Sequence, residues 1–113
     1  MKRVLWDTYE AALLVDAYWK IEKAPEEKSH ILMELSESLR RMAIRRGMVI
    51  DSKYRNYNGM KLQYGLLQYC LTNGEKGLSG HISKTIMEVS DIYNNDRHTY
   101  FSILSRAKEW SSL

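Results

Sequence analysis

The chain has 113 residues, of which 44% are hydrophobic and 27% charged, and its formal net charge at pH 7 is +3. This composition is typical of a single globular domain with one modest core, and we assign residues 1–113 to it. No run of about eighteen apolar residues occurs, which argues against a membrane-spanning helix and a membrane partner. The single cysteine, Cys70, excludes an internal disulfide and leads us to expect a cytoplasmic protein.

The first half of the chain is predicted to form two helices. Asp7 followed three residues later by Glu10 is typical of a capping box, so the first helix is expected over about residues 8–23. Ala24-Pro25 should end it, because the residue before a proline disfavours the helical region. The second helix is expected over about residues 26–46, where apolar residues again recur at helical spacing.

Three further helices are predicted in the second half. The third, about residues 58–71, should open with Asn58 as its N-cap, and it is so apolar that we expect it to be the central helix. The fourth is expected over residues 81–93 and the fifth over residues 96–110. The segment from Gly74 to Gly80 contains three glycines and is predicted to be a flexible connector.

These elements predict an all-α fold, a compact bundle of about five helices, because strand-like alternation is nowhere sustained. The leucines expected in its core are Leu13, Leu14, Leu35, Leu39, Leu62, Leu66 and Leu67.

Positive charge is concentrated in one segment, Arg40 to Lys61. Seven basic residues and one acid give it a formal charge of +6, whereas residues 1–39 carry −3 and residues 62–113 carry zero. Segregated positive charge with tyrosines and asparagines among it is typical of a surface that binds a polyanion. The same arginines could instead form the solvated face and last turn of a helix, where cations favour the helix dipole.

If this segment binds nucleic acid, its residue types suggest the contacts. Arginine and lysine bind phosphates, asparagine can read an adenine edge, and tyrosine can stack on an unpaired base. Asp16, within the apolar stripe of the first helix, is a candidate buried partner for one of the arginines. The residues predicted to contact nucleic acid are Arg40, Arg41, Arg45, Arg46, Lys53, Tyr54, Arg55, Asn56, Asn58 and Lys61.

The order of these motifs resembles the N-terminal accessory domain that precedes the nuclease domain in many bacterial HNH endonucleases. The resemblance lies in Trp6, Glu10, Leu13, Leu14 and Asp16 of the first helix, in the segment LMELSESLRRMA, and above all in Tyr54-Arg55-Asn56-Tyr57-Asn58-Gly59-Met60-Lys61-Leu62. It covers about residues 4–110 and implies a DNA-binding accessory role. The chain departs from the family pattern at Gln63-Tyr64-Gly65, and no HNH nuclease core follows.

No metal site, cofactor or catalytic residue is predicted. A zinc site needs about four converging ligands, whereas this chain offers one cysteine and three scattered histidines. No serine, cysteine or lysine stands beside a histidine in an arrangement that would activate a nucleophile. We therefore expect a protein that is not an enzyme.

Two functions remain open on the sequence. The first is a non-catalytic nucleic-acid-binding or specificity module of a bacterial DNA-processing or restriction-type system, with DNA favoured over RNA and a nuclease or helicase domain as a partner. The second is a helical protein-interaction module, able to dimerise, whose basic segment meets an acidic partner.

Overall fold

The structure is a computed structural model that describes residues 4–112. It contains α1 (Thr8–Lys23), a 3₁₀ turn (Pro25–Glu27), α2 (Lys28–Arg45), α3 (Tyr57–Leu71), α4 (Lys84–Asn95) and α5 (Arg97–Ser112). No strand occurs within this range, so the predicted all-α bundle of five helices is confirmed. None of these helices is long and apolar enough to cross a membrane.

Helix α1 is the centre of the bundle and contacts the other four helices. It begins where the capping box predicts: Asp7 Oδ1 accepts the N–H of Glu10 at 2.8 Å, and Glu10 Oε1 accepts the N–H of Asp7 at 3.2 Å. Nine of its sixteen residues are buried. The small side chains of Ala11 and Ala12, both fully buried, let neighbouring helices approach closely. The expectation that the third helix is central is therefore wrong.

Helix α3 begins earlier than predicted and buries only one face. Its N-cap is Asn56, whose Oδ1 accepts the N–H of Gly59 at 2.8 Å, so the expected cap at Asn58 is wrong. Among the helices, α3 packs mainly against α2, and Leu62 lies on the outward face of α3, where it is 48% exposed, contrary to expectation. The other leucines predicted in the core are buried, including Leu66 at 7% exposure.

The segment between α3 and α4 is fixed to α3, not a free connector as predicted. The N–H of Leu78 donates to the carbonyl of Gly65 at 2.9 Å, and Thr72 Oγ1 accepts the N–H of Lys76 at 3.0 Å. Gly77 has a φ of +88°, and a Cβ there would lie 2.3 Å from the Gly65 carbonyl oxygen. A glycine is therefore required for this close approach.

The last two helices begin later than predicted, because each start is set by a side-chain cap. Ser83 Oγ accepts the N–H of Ile86, so α4 begins at Lys84. Asp96 accepts the N–H of Thr99 at 3.1 Å, and hydrogen bonds from Thr99 lower the pKa of this exposed carboxyl. Helix α5 is joined to α1 through Tyr100, whose hydroxyl donates to the buried Ala12 carbonyl at 2.9 Å.

Candidate nucleic-acid interface

A buried ion pair joins the basic segment to the start of α1. Arg55 donates from Nε to Glu10 Oε2 at 2.8 Å and from Nη2 to Glu10 Oε1 at 3.1 Å. The Tyr54 hydroxyl donates to the same carboxylate at 3.2 Å. The side chains of Glu10 and Arg55 are only 3% and 11% exposed. This pair fills the role that the sequence suggested for Asp16, which instead pairs with Lys20 one turn along α1.

Two aromatic rings enclose the Arg55 guanidinium. Its Cζ lies 4.5 Å from the Trp6 ring centroid and 4.8 Å from that of Tyr54. Nη2 also lies within hydrogen-bonding distance of the Val4 and Leu5 carbonyls, at 3.3 and 3.2 Å. Burial, and then the Glu10 carboxylate, raises the pKa of Tyr54 to about 12. Arg55 and Tyr54 thus join the residues that precede α1 to the loop between α2 and α3 (residues 46–56), which we call the basic loop.

Arg40 shapes the loop that connects α2 to α3. Its Nη1 donates to the carbonyl of Asp51 at 3.0 Å and to that of Tyr54 at 2.5 Å. Ser36, one turn earlier on α2, donates to the Arg55 carbonyl at 2.7 Å. Asp51 Oδ1 in turn accepts the backbone N–H groups of Lys53 and Tyr54. This network fixes a segment without regular structure.

Three further arginines attach α2 to other parts of the bundle. Arg41 Nε donates to the Ser111 carbonyl at 2.8 Å, and Arg45 Nη1 donates to the carbonyls of Glu109 and Trp110, all in the last turn of α5. Cations at this position satisfy carbonyls that lack an intrahelical partner. Arg46 forms an ion pair with Asp7 and lies over the Tyr9 and Trp110 rings.

Of the remaining residues predicted to contact nucleic acid, one caps a helix and the others are exposed to solvent. Asn56 caps α3, as described above. Lys53, Asn58 and Lys61 are exposed, and neither lysine forms an ion pair with a carboxylate of residues 4–112. Lys61 Nζ lies 5.6 Å from the Tyr57 ring centroid. The two lysines and Asn58 are therefore accessible to a ligand.

A cavity of about 730 Å³ opens beside the basic loop. Its wall combines Lys53 and Arg55 of the loop with Lys84 at the start of α4, and Asp51 is the one carboxylate among its described lining residues. Leu5 and Trp6 supply an apolar side. Sequence reasoning did not identify this cavity, because its lining comes from four separate parts of the chain that only the fold brings together.

Metal coordination finds no support in the described part of the chain. No group of three or more His, Cys, Asp or Glu residues converges there in a way that could hold a metal ion.

Comparisons with protein-family models, with curated proteins and with solved structures find no match to this chain.

Proposed function

We propose that the protein is a non-catalytic nucleic-acid-binding module that contacts mainly phosphates, with DNA favoured over RNA. The observation that carries this proposal is that few cations of the basic segment are paired with a carboxylate. Of its seven cations, only Arg46 and Arg55 pair with a carboxylate within residues 4–112. The segment therefore keeps most of its positive charge in the folded state.

The other arginines keep their charge although they have partners. Arg40, Arg41 and Arg45 donate chiefly to backbone carbonyls, which are dipoles and carry no formal charge. A guanidinium has five N–H donors, so each can hold a carbonyl and still donate to a phosphate. Lys53 and Lys61 add two exposed cations on the loop and on α3. A field of this kind attracts a polyanion and makes its binding depend on salt.

The cellular context follows from the resemblance to HNH endonuclease accessory domains. A module of this kind would serve a bacterial DNA-processing or restriction-type system, supplying DNA contact to a nuclease or helicase partner. The residues behind the resemblance also have structural roles, since Arg55 pairs with Glu10 and Asn56 caps α3. We therefore assign phosphate contact to the exposed and charge-uncompensated cations, and not to Arg55 or Asn56.

The proposal is tested by fluorescence anisotropy with a labelled duplex at three salt concentrations. Log affinity should fall linearly with log salt, by about 0.9 for each phosphate neutralised, so four contacts give a slope of about −3.6. A polyglutamate competitor at matched charge concentration is the control for the acidic-partner alternative. Displacement of duplex by polyglutamate at equal efficiency would favour that alternative. No detectable binding at 50 mM salt and about 100 μM protein would contradict the proposal, since non-specific DNA contact usually has a Kd of about 10⁻⁴–10⁻⁶ M.

A further inference from the structure

The cavity beside the basic loop has the size and the charged lining of a small-ligand site. Its volume of about 730 Å³ lies within the range of about 300–1,000 Å³ that is usual for small-molecule sites. Leu5 and Trp6 form an apolar side, and Leu5 is 80% exposed. An exposed apolar wall next to cations suits a ligand that has a planar ring at one end and an anionic group at the other.

The anionic side of such a ligand would meet Lys53 and Lys84. Both side chains line the cavity and are exposed. Lys84 has a carboxylate neighbour, Glu88, but at 3.8 Å this solvated pair is weak and leaves the ammonium available. Lys84 and Thr85 also occupy the first two positions of α4, where backbone N–H groups have no intrahelical acceptor. These donors add to the attraction for a phosphate that the lysines already provide.

The wall also contains an unsatisfied polar group. Gln63 lines the cavity, and its Oε1 is buried with no hydrogen-bond partner among the described residues. A buried acceptor without a partner is destabilising, and a rotation of the Gln63 side chain towards the cavity would let a ligand N–H remove that penalty. The exocyclic amine or ring N–H of a nucleobase is such a donor.

From these features we infer that the cavity binds one unpaired nucleotide of single-stranded DNA, with its base against Leu5 and Trp6 and its phosphate beside Lys53 and Lys84. This inference rests on the proposed function and adds a preference for single strands over blunt duplex. A base in a duplex is stacked and paired, and so cannot enter the cavity. Proteins that bind single strands combine a cationic groove with aromatic side chains on which bases stack, and Trp6 is the aromatic residue of this apolar side.

The test compares three labelled ligands of equal length: a thymidine 12-mer, a 12-mer of abasic residues, and a blunt 12-base-pair duplex. The thymidine 12-mer should bind at least about fivefold more tightly than the abasic 12-mer, because contact with one base is worth at least that factor. Lys84→Ala should weaken both single strands by a similar factor. Leu5→Ala should bring the ratio of thymidine to abasic affinity towards one.

Two control variants and the pattern of outcomes separate this inference from the proposed function. Val49→Ala removes an exposed apolar side chain outside the described cavity lining, and Lys108→Ala removes an exposed lysine that lines a different cavity. Both should leave the ratio unchanged. Equal affinity for the thymidine and abasic 12-mers, with salt-dependent binding retained, would overturn the nucleotide site and leave phosphate binding standing. Loss of all binding at low salt would overturn both.

Discussion

Removing the Arg55 side chain should destabilise the protein strongly, because it leaves a carboxylate buried without its charge partner. Glu10 is 3% exposed and receives hydrogen bonds from two guanidinium nitrogens, at 2.8 and 3.1 Å. In Arg55→Ala it would keep only the Tyr54 hydroxyl and the Asp7 amide as donors. Breaking a buried pair by deleting one partner typically costs about 3–5 kcal/mol. That is a large share of the roughly 5–15 kcal/mol by which a domain is stable.

Urea unfolding followed by far-UV circular dichroism measures this cost. Arg106→Ala is the matched control, since Arg106 is exposed and forms no side-chain hydrogen bond or ion pair within residues 4–112. A loss below about 1 kcal/mol for Arg55→Ala, the value for a solvated pair, would refute the reasoning. The double variant Glu10→Gln/Arg55→Ala should be more stable than the sum of the two single losses predicts. Neighbours of this kind couple by about 0.5–3 kcal/mol, and strict additivity would show that the pair is not coupled.

Other predictions concern packing, backbone and pH. Leu66→Ala should cost about 2–5 kcal/mol in urea unfolding, because the side chain is 7% exposed, and a cost below about 1 kcal/mol would place it outside the core. Gly77→Ala should destabilise by more than about 1 kcal/mol, since the new Cβ would meet the Gly65 carbonyl at positive φ, and an unchanged urea midpoint would contradict the packed loop. The pKa of Tyr54 is raised to about 12, above the value of about 10 in the unfolded chain, so stabilisation present below pH 10 is lost as the pH rises towards 12. Tyr54→Phe should therefore flatten the decline in unfolding free energy between pH 10 and 12, and an unchanged decline would show that Tyr54 does not contribute to it.

The sequence predicted the parts of the fold that depend on local chemistry. The bounds of α1 follow from Asp7, Glu10 and Pro25, whose effects act within a few residues. The cap of α3 was misplaced because Asn56 and Asn58 are both suitable, and only the course of the preceding loop selects Asn56. The position of α1 at the centre could not be read from apolar content, because centrality depends on which helices pack on which faces.

The sequence predicted that the candidate site is positively charged, but not what each basic residue contacts in the fold. Arg55 meets Glu10 across 45 positions, and Arg41 meets Ser111 across 70. The spacing of apolar residues along a helix gives no information on contacts between residues so far apart in the sequence. The sequence therefore treated all seven cations alike, whereas the fold engages five arginines and leaves Lys53 and Lys61 in solvent. Charge alone would assign Arg55 a phosphate contact, and the burial of its side chain argues against that assignment.

The central claim is that DNA phosphates contact the exposed cations of the basic segment. The most direct test is the salt dependence of duplex affinity for Lys53→Ala/Lys61→Ala beside Lys23→Ala/Lys76→Ala, which removes the same net charge from exposed positions outside the basic segment. The first variant should flatten the slope of log affinity against log salt by about 1.8, for two lost phosphate contacts, while the control keeps the wild-type slope. Equal slopes for the two double variants would contradict the claim, because binding would then follow net charge and not this surface.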